Sequence, residues 1–255
     1  MKTHALLATF TAGVVCAGSA DAAIVAVNTF GKALPDDGGT PNILENSSDT
    51  ISFDAGATAD MLIVAISSER STEAPITLTY NGDPLNPTPD NDSRSGIWYL
   101  ANPDTGGAFD LVVSFTGIGT VNGYGIGVVS VTSAGQPIVL DDSTPPDGTN
   151  SVSITTTAAD SFVVVNGFAN EDSGTKSTTL DASLTELYEA NNIGSALGGA
   201  GYEEGVGPGN QSYTITYQGD RASRNTIAAA FVAVPEPSSL ALLGLGGLMV
   251  ARRRR

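Results

Sequence analysis

Between residues 23 and 233 the chain alternates short apolar runs with clusters of Gly, Pro, Asn and Asp. Met61-Leu62-Ile63-Val64-Ala65-Ile66 is a near-continuous apolar run of strand length. Ile76-Thr77-Leu78-Thr79-Tyr80 alternates with period two, which puts its apolar side chains on one face of a strand. Asn81-Gly82 follows, a pair suited to the positive φ angles of a type I′ hairpin. Further strands are predicted over 97–100, 109–115, 123–131, 152–156, 162–168, 213–217 and 226–232. Helical spacing shows only as one turn near Leu184 to Ala190. About ten to twelve strands without helices predict an all-β fold of two packed sheets. A jelly-roll-like sandwich is the first choice and an immunoglobulin-like sandwich the second. No repeat with a fixed period stands out, which argues against a propeller or a β-helix.

The two ends break this pattern. Met1-Lys2-Thr3-His4 is positive, Ala5 to Ala17 is mostly apolar, and Ala20-Asp21-Ala22 places small residues at −3 and −1. That layout predicts a secretory signal peptide over 1–22, helical in its apolar part, cut by signal peptidase between Ala22 and Ala23. A lipoprotein anchor at Cys16 is disfavoured, because Val15 precedes it.

At the other end stand Pro235-Glu236-Pro237, then Ser238 and Ser239, an uncharged stretch from Leu240 to Ala251, and Arg252, Arg253, Arg254 and Arg255. The prolines hold their segment extended. A serine caps the apolar helix, and the arginines keep its far end cytoplasmic. The 14 residues from Ser238 to Ala251 reach about 21 Å, short of the roughly 30 Å hydrocarbon core. A short C-terminal membrane helix of this kind suits transient insertion into the inner membrane and later removal.

Residues 235–255 resemble the PEP-CTERM sorting domain of Gram-negative bacteria: Pro-Glu-Pro, a glycine-containing apolar stretch and terminal arginines, in that order. The resemblance implies recognition near Pro235, Glu236 and Pro237 by an exosortase, a membrane cysteine protease-transferase. It also implies company with exopolysaccharide, biofilm or floc production. Leu78 to Gly82, Ile97 to Pro103 and Leu111 to Gly117 resemble a β-sandwich module frequent in exported bacterial proteins, spanning roughly residues 50 to 170. That likeness implies a fold and no activity. The expected organisation is a signal peptide over 1–22, a β-sandwich over 23–234 and a sorting segment over 235–255.

Charge narrows the function further. The body between the terminal segments carries 25 acidic and 6 basic residues, a net charge near −19. Such a body repels nucleic acid and leaves cations or neutral sugars as compatible partners. The only Cys is Cys16 and the only His is His4, both in the leader. The body therefore has no disulfide, no His-dependent nucleophile and no His-ligated zinc.

Acidic pairs stand at Asp36-Asp37, Asp141-Asp142, Glu171-Asp172 and Glu203-Glu204, and Asp90-Asn91-Asp92-Ser93 is an oxygen-rich loop. Arg94 occupies the place of a third calcium ligand after Asp90 and Asp92, so the loop reads as a solvated turn and no metal or cofactor is expected. Trp98 lies between Ile97 and Leu100 and is expected in the core, with Tyr99 on the opposite face. Asn46, Asn91 and Asn210 match the N-glycosylation pattern and are expected unmodified. The leading expectation is a non-catalytic, exported surface or matrix protein with a structural or adhesive role. A carbohydrate-binding module is the runner-up. A carboxylate-based glycoside hydrolase or lyase is the third reading, and it requires two facing carboxylates about 5 to 9 Å apart.

Overall fold

The computed structural model describes residues 22–34, 48–70, 76–92, 94–115, 121–145, 148–171, 177–193, 196–218 and 221–234. Every regular element among them is a strand. The first half contains β1 (Val25–Leu34), β2 (Ser48–Asp54), β3 (Met61–Arg70), β4 (Thr77–Tyr80), β5 (Asp83–Pro84), β6 (Asn86–Pro87), β7 (Ser95–Ala101), β8 (Ala108–Ser114) and β9 (Val121–Thr132). The second half contains β10 (Ile138–Thr144), β11 (Ser151–Thr156), β12 (Ser161–Glu171), β13 (Thr178–Thr179), β14 (Thr185–Ile193), β15 (Ala196–Val206), β16 (Gly209–Thr214), β17 (Thr216–Tyr217) and β18 (Arg221–Ala233). The expected signal helix and C-terminal membrane helix lie outside the described residues.

The strands form four layers rather than the two expected. The first inner sheet runs β1-β9-β3-β7-β6, and the first outer sheet runs β2-β8-β4-β5. The second inner sheet runs β10-β18-β12-β15-β14, and its outer layer is made of the pairs β11-β16 and β13-β17. All pairings are antiparallel. Most successive strands cross between inner and outer layers, giving each half a jelly-roll-like interleaving.

The second half repeats the first. β10, β18, β12 and β15 take the places of β1, β9, β3 and β7 in sheet order. Counterparts start roughly a hundred residues apart: Met61 and Ser161, Ser95 and Ala196, Ala108 and Gly209, Val121 and Arg221. The sequence reading that found no repeat is corrected here. The copies share alternation and turn placement, not side-chain identity. Leu62 and Val64, for example, are matched by Val163 and Val165.

Both inner sheets are covered on both faces, which explains their near-continuous apolar runs. Leu62, Val64 and Ile66 of β3 face the first outer sheet, packed with Leu78, Tyr80, Leu111 and Phe115. Met61, Ile63 and Ala65 face the second inner sheet, packed with Phe162, Val164 and Phe231. Val163, Val165 and Ala230 turn to the second outer layer, against Ile154, Tyr213 and Ile215. β3 packs on β12, β7 on β18, and β1 on β14. The two inner sheets therefore run in opposite lateral order while β3 and β12 point the same way. The halves are related by an approximate two-fold axis along the strands.

Local sequence sets the turns and the bulges. Asn81 and Gly82 have φ of 49° and 89°, and Tyr80 pairs with Asp83, as the hairpin reading requires. The expected helical turn near Leu184 to Ala190 is instead strand β14. Its register shifts between Glu186 and Tyr188, so the consecutive residues Leu187 and Tyr188 are both buried. The bulge produces the i, i+3, i+4 apolar spacing that imitates a helix.

Candidate functional site

The acidic loops are built as internal caps. Asp92 Oδ1 accepts the backbone N–H of Arg94 at 2.6 Å, and its Oδ2 accepts from Asn225 of the second half. Asp90 accepts from Ser143 Oγ, again across the halves. Asn91 Oδ1 accepts from Thr88 Oγ1 and from Ile97 N, both at 2.7 Å, while its Nδ2 donates to Ile97 O. This loop latches the halves together with oxygens a cation would otherwise use. Asp141 holds the Thr157 N–H and hydroxyl, and Asp142 accepts the N–H groups of Ser143 and Thr155. Glu204 Oε1 accepts from Ala26 N at 2.7 Å. Glu203 neighbours Tyr213, whose hydroxyl is pushed up by burial and then by that carboxylate. Among the described residues no group of three or more His, Cys, Asp or Glu is placed to hold a metal ion. Asp36, Asp37, Asn46, Ser93 and Asp172 lie outside those residues, and nothing is described of the Glu171 side chain.

The aromatic side chains turn inward. Trp98 is buried at 5% exposure in the first core, as the sequence predicts. Tyr99 points the other way and meets Phe231 edge-on, with ring centroids 5.8 Å apart, so it fills the seam between the inner sheets. Tyr80, Tyr124, Tyr188, Tyr202, Tyr213 and Tyr217 are all buried. Together with Tyr99 these six make up the seven tyrosines of the chain. None offers an exposed ring on which a sugar could stack.

One polar cluster, which no pattern in the sequence announces, lies at the centre of the stack. Asn166 on β12 is fully buried between the inner sheets. Its Nδ2 donates to Ile66 O at 2.8 Å, Ser95 Oγ at 3.0 Å and Gly96 O at 3.1 Å. Its Oδ1 accepts from Ser67 Oγ and Tyr188 OH, each at 3.0 Å. Burial holds the Tyr188 hydroxyl well above its ordinary pKa, so it stays a proton donor. A satisfied network of this kind fixes one register between the halves.

The outward faces of the outer layers are dominated by hydroxyls. Ser48, Ser114 and Thr77 align across β2, β8 and β4. Ser153 pairs with Ser212, Thr155 with Asn210, and Thr179 with Thr216.

Chain entry, crossover and exit share one end of the stack. β1 begins where β9 ends, with Val25 beside Thr132, and β10 begins where β18 ends, with Ile138 beside Ala233. The 133–137 crossover is pinned by Asp60. Its Oδ2 accepts from Thr132 Oγ1 at 2.9 Å, Ser133 N at 2.7 Å and Gly135 N at 3.3 Å. Ala23, Val25, Thr58, Asp60, Thr132, Ala134 and Gly135 line an open depression of about 530 Å³ here. Val234 N then donates to Pro137 O at 2.8 Å, the last contact before the tail. Of the predicted cleavage residues, Ala22 is half-buried and Ala23 exposed, just before the buried Ile24. Ala20 lies outside the described residues, as do Pro235, Glu236, Pro237 and the four terminal arginines.

Asp60 and Asp49 tie stability to pH. Burial raises the Asp60 pKa, but hydrogen bonds from Ser133, Thr132 and Gly135 outweigh it and hold the carboxyl below its ordinary value. Burial likewise opposes the fall at Asp49, where hydrogen bonds from Tyr124 and Lys32 and the Lys32 charge at 3.2 Å prevail. Both groups favour folding above the unfolded carboxylate pKa of about 4, and that contribution is lost as pH falls through their lower folded values. Urea midpoints should drop with acidification below about pH 4. Asp49→Asn combined with Asp60→Asn should lower the neutral-pH midpoint and flatten this acid limb. An acid limb unchanged in the double variant would contradict the assignment.

No helix among the described residues is long and apolar enough to cross a membrane. No curated protein and no solved structure matches the chain. Residues 233–255 do match the model of the PEP-CTERM protein-sorting motif, beginning on the last residue of β18. The chain thus carries, fused directly to its last core strand, the motif that marks a protein for exosortase processing and for export to the cell envelope or surface.

Proposed function

We propose that the mature chain is a non-catalytic surface or matrix protein with a structural or adhesive role within an exopolysaccharide. The carrying observation is the sorting motif at 233–255, joined without a linker to a β-sandwich body. Three features support the role. The carboxylates of the acidic pairs at 141–142 and at Glu204 are engaged in capping backbone N–H groups. The tyrosines and Trp98 serve the cores. The outer faces carry short hydroxyl side chains aligned across strands, suited to many weak hydrogen bonds with a hydrated neutral polymer and free of long side chains that must be ordered on contact.

The test is the mature C-terminus, measured by mass spectrometry on protein from cells with and without an active exosortase. The expected result is a chain ending near Pro235 to Pro237 in the first case and at Arg255 in the second. Arg255 retained in both would overturn the sorting role. A glycan array probed with the mature body should give weak, broad binding to neutral glucans. A single tight oligosaccharide ligand would favour a dedicated carbohydrate-binding module instead.

A further inference from the structure

Val25, Val139 and Val234 are the large hydrophobic residues that the described part of the chain leaves exposed, at 42%, 42% and 41%. All three lie at the end where the chain enters, crosses over and leaves. Val25 opens β1, Val139 is the second residue of β10, and Val234 follows β18. Val139 pairs with Val232, and Val234 stands two residues further along the same face. The seam is continuous here, since Glu204 of the second half caps Ala26 beside Val25.

The tether sets the distance. Six residue steps separate Val234 from Leu240, where the apolar stretch begins. Fully extended, they span about 20 Å. The 13 residues of β18 run about 43 Å along the stack. With the tail in a bilayer, the valine-bearing end is held within about 20 Å of the membrane surface, whereas the far end is free to stand off by the length of the stack.

We infer that this end is a lipid-facing surface. Before the tail is cut, Val25, Val139 and Val234 rest on the interfacial region of the inner membrane and orient the body with its strands upright. The inference rests on the sorting reading of the tail and adds which surface the bilayer touches. Where the leader is still attached at Ala22, it departs from the same end, so both membrane-directed segments pull on one face. The net charge near −19 opposes a long-range attraction to anionic lipid. Contact therefore depends on the tether and on short-range apolar burial.

The test uses the full, uncut chain with Cys16→Ser, reconstituted through its tail into phosphatidylcholine vesicles whose acyl chains are partly brominated. Single cysteines at Val25→Cys, Val139→Cys, Thr50→Cys and Pro145→Cys carry an environment-sensitive fluorophore. Thr50 is exposed on an outer face, and Pro145 follows the far end of β10. Quenching at 25 and 139 should exceed that at 50 and 145 several-fold, and it should vanish when the tail is removed. Flotation with the vesicles reports insertion separately. A chain that floats but is quenched equally, or not at all, at the four positions overturns the lipid-facing end and leaves the sorting reading intact. A chain that does not float overturns both.

Discussion

Replacing Asn166 by alanine should lower the thermal midpoint of the mature body by roughly 10 °C. The amide makes three donations and two acceptances among groups sealed from water. Alanine leaves Tyr188 OH and Ser95 Oγ without that partner and opens a small void between the sheets. Unsatisfied buried groups cost about 1–3 kcal/mol each, so a total near 3–4 kcal/mol is expected. For a body of this size each kcal/mol moves the midpoint by about 2–4 °C. The network also makes a non-additive signature. Ser67→Ala should cost less on top of Asn166→Ala than it does alone, because the Ser67 hydroxyl has then lost one of its two acceptors and keeps only Gly167 O at 2.8 Å. Circular dichroism melts of the four proteins of this cycle measure both points. A midpoint that moves by no more than experimental error, or strict additivity, would mean that the node does not bind the halves.

The second large effect concerns how closely the inner sheets approach. A Cβ placed on Gly125 of β9 would stand 2.3 Å from Tyr188 Cε2 and 2.9 Å from its Cδ2. Gly127 beside it would meet Leu187 Cβ at 2.7 Å. These glycines form a bare strip on β9 into which the β14 bulge settles. Gly125→Val must displace the Tyr188 ring, which also breaks its bond to Asn166. Overpacking and the lost hydrogen bond together should cost about 3 kcal/mol or more. Denaturant titration should show a lower midpoint and a broadened transition. Gly107→Ala is the control, since a Cβ there meets nothing within 4 Å, and it should change stability by less than about 0.5 kcal/mol. Equal midpoints for the valine variant and the parent would refute the close approach.

These two sites show where sequence reading succeeds and where it stops. Strand 77–80 and its turn were legible because one face of the outer sheet meets the core and the other meets water. Leu78 and Tyr80 are buried while Thr77 is exposed, giving clean alternation. The inner strands lack that contrast. Met61 to Ile66 are all buried, so the run announces an interior strand without saying that its two faces serve different cores. The four-layer stack was hidden for that reason. Asn166 stands in a Val-rich run, and one amide in such a run does not disclose that its partners lie on three other strands, 22 to 100 residues away. β15, with Gly198, Gly199 and Gly201, resembles a loop by composition. It is a central strand because its glycines admit Ser67, Thr178 and Leu184 from neighbouring layers. The terminal sorting motif needed no fold to be read, since its recognition depends on residue order at the chain end.

The doubly covered inner sheets carry a consequence for biogenesis. A chain threaded outward from its amino end delivers residues 25–132 before 138–233. The earlier half can close its own outer sandwich at once. Its other broad wall, with Met61, Ile63, Val129 and Val131, then waits bare until the later half arrives. During that interval two nascent copies present each other with the very wall each is meant to cover from within, so swapped dimers compete with correct closure. Slow emergence of the second half, or crowding at the exit of the translocation channel, should therefore raise the yield of swapped dimers before any mature monomer is exposed to the outside.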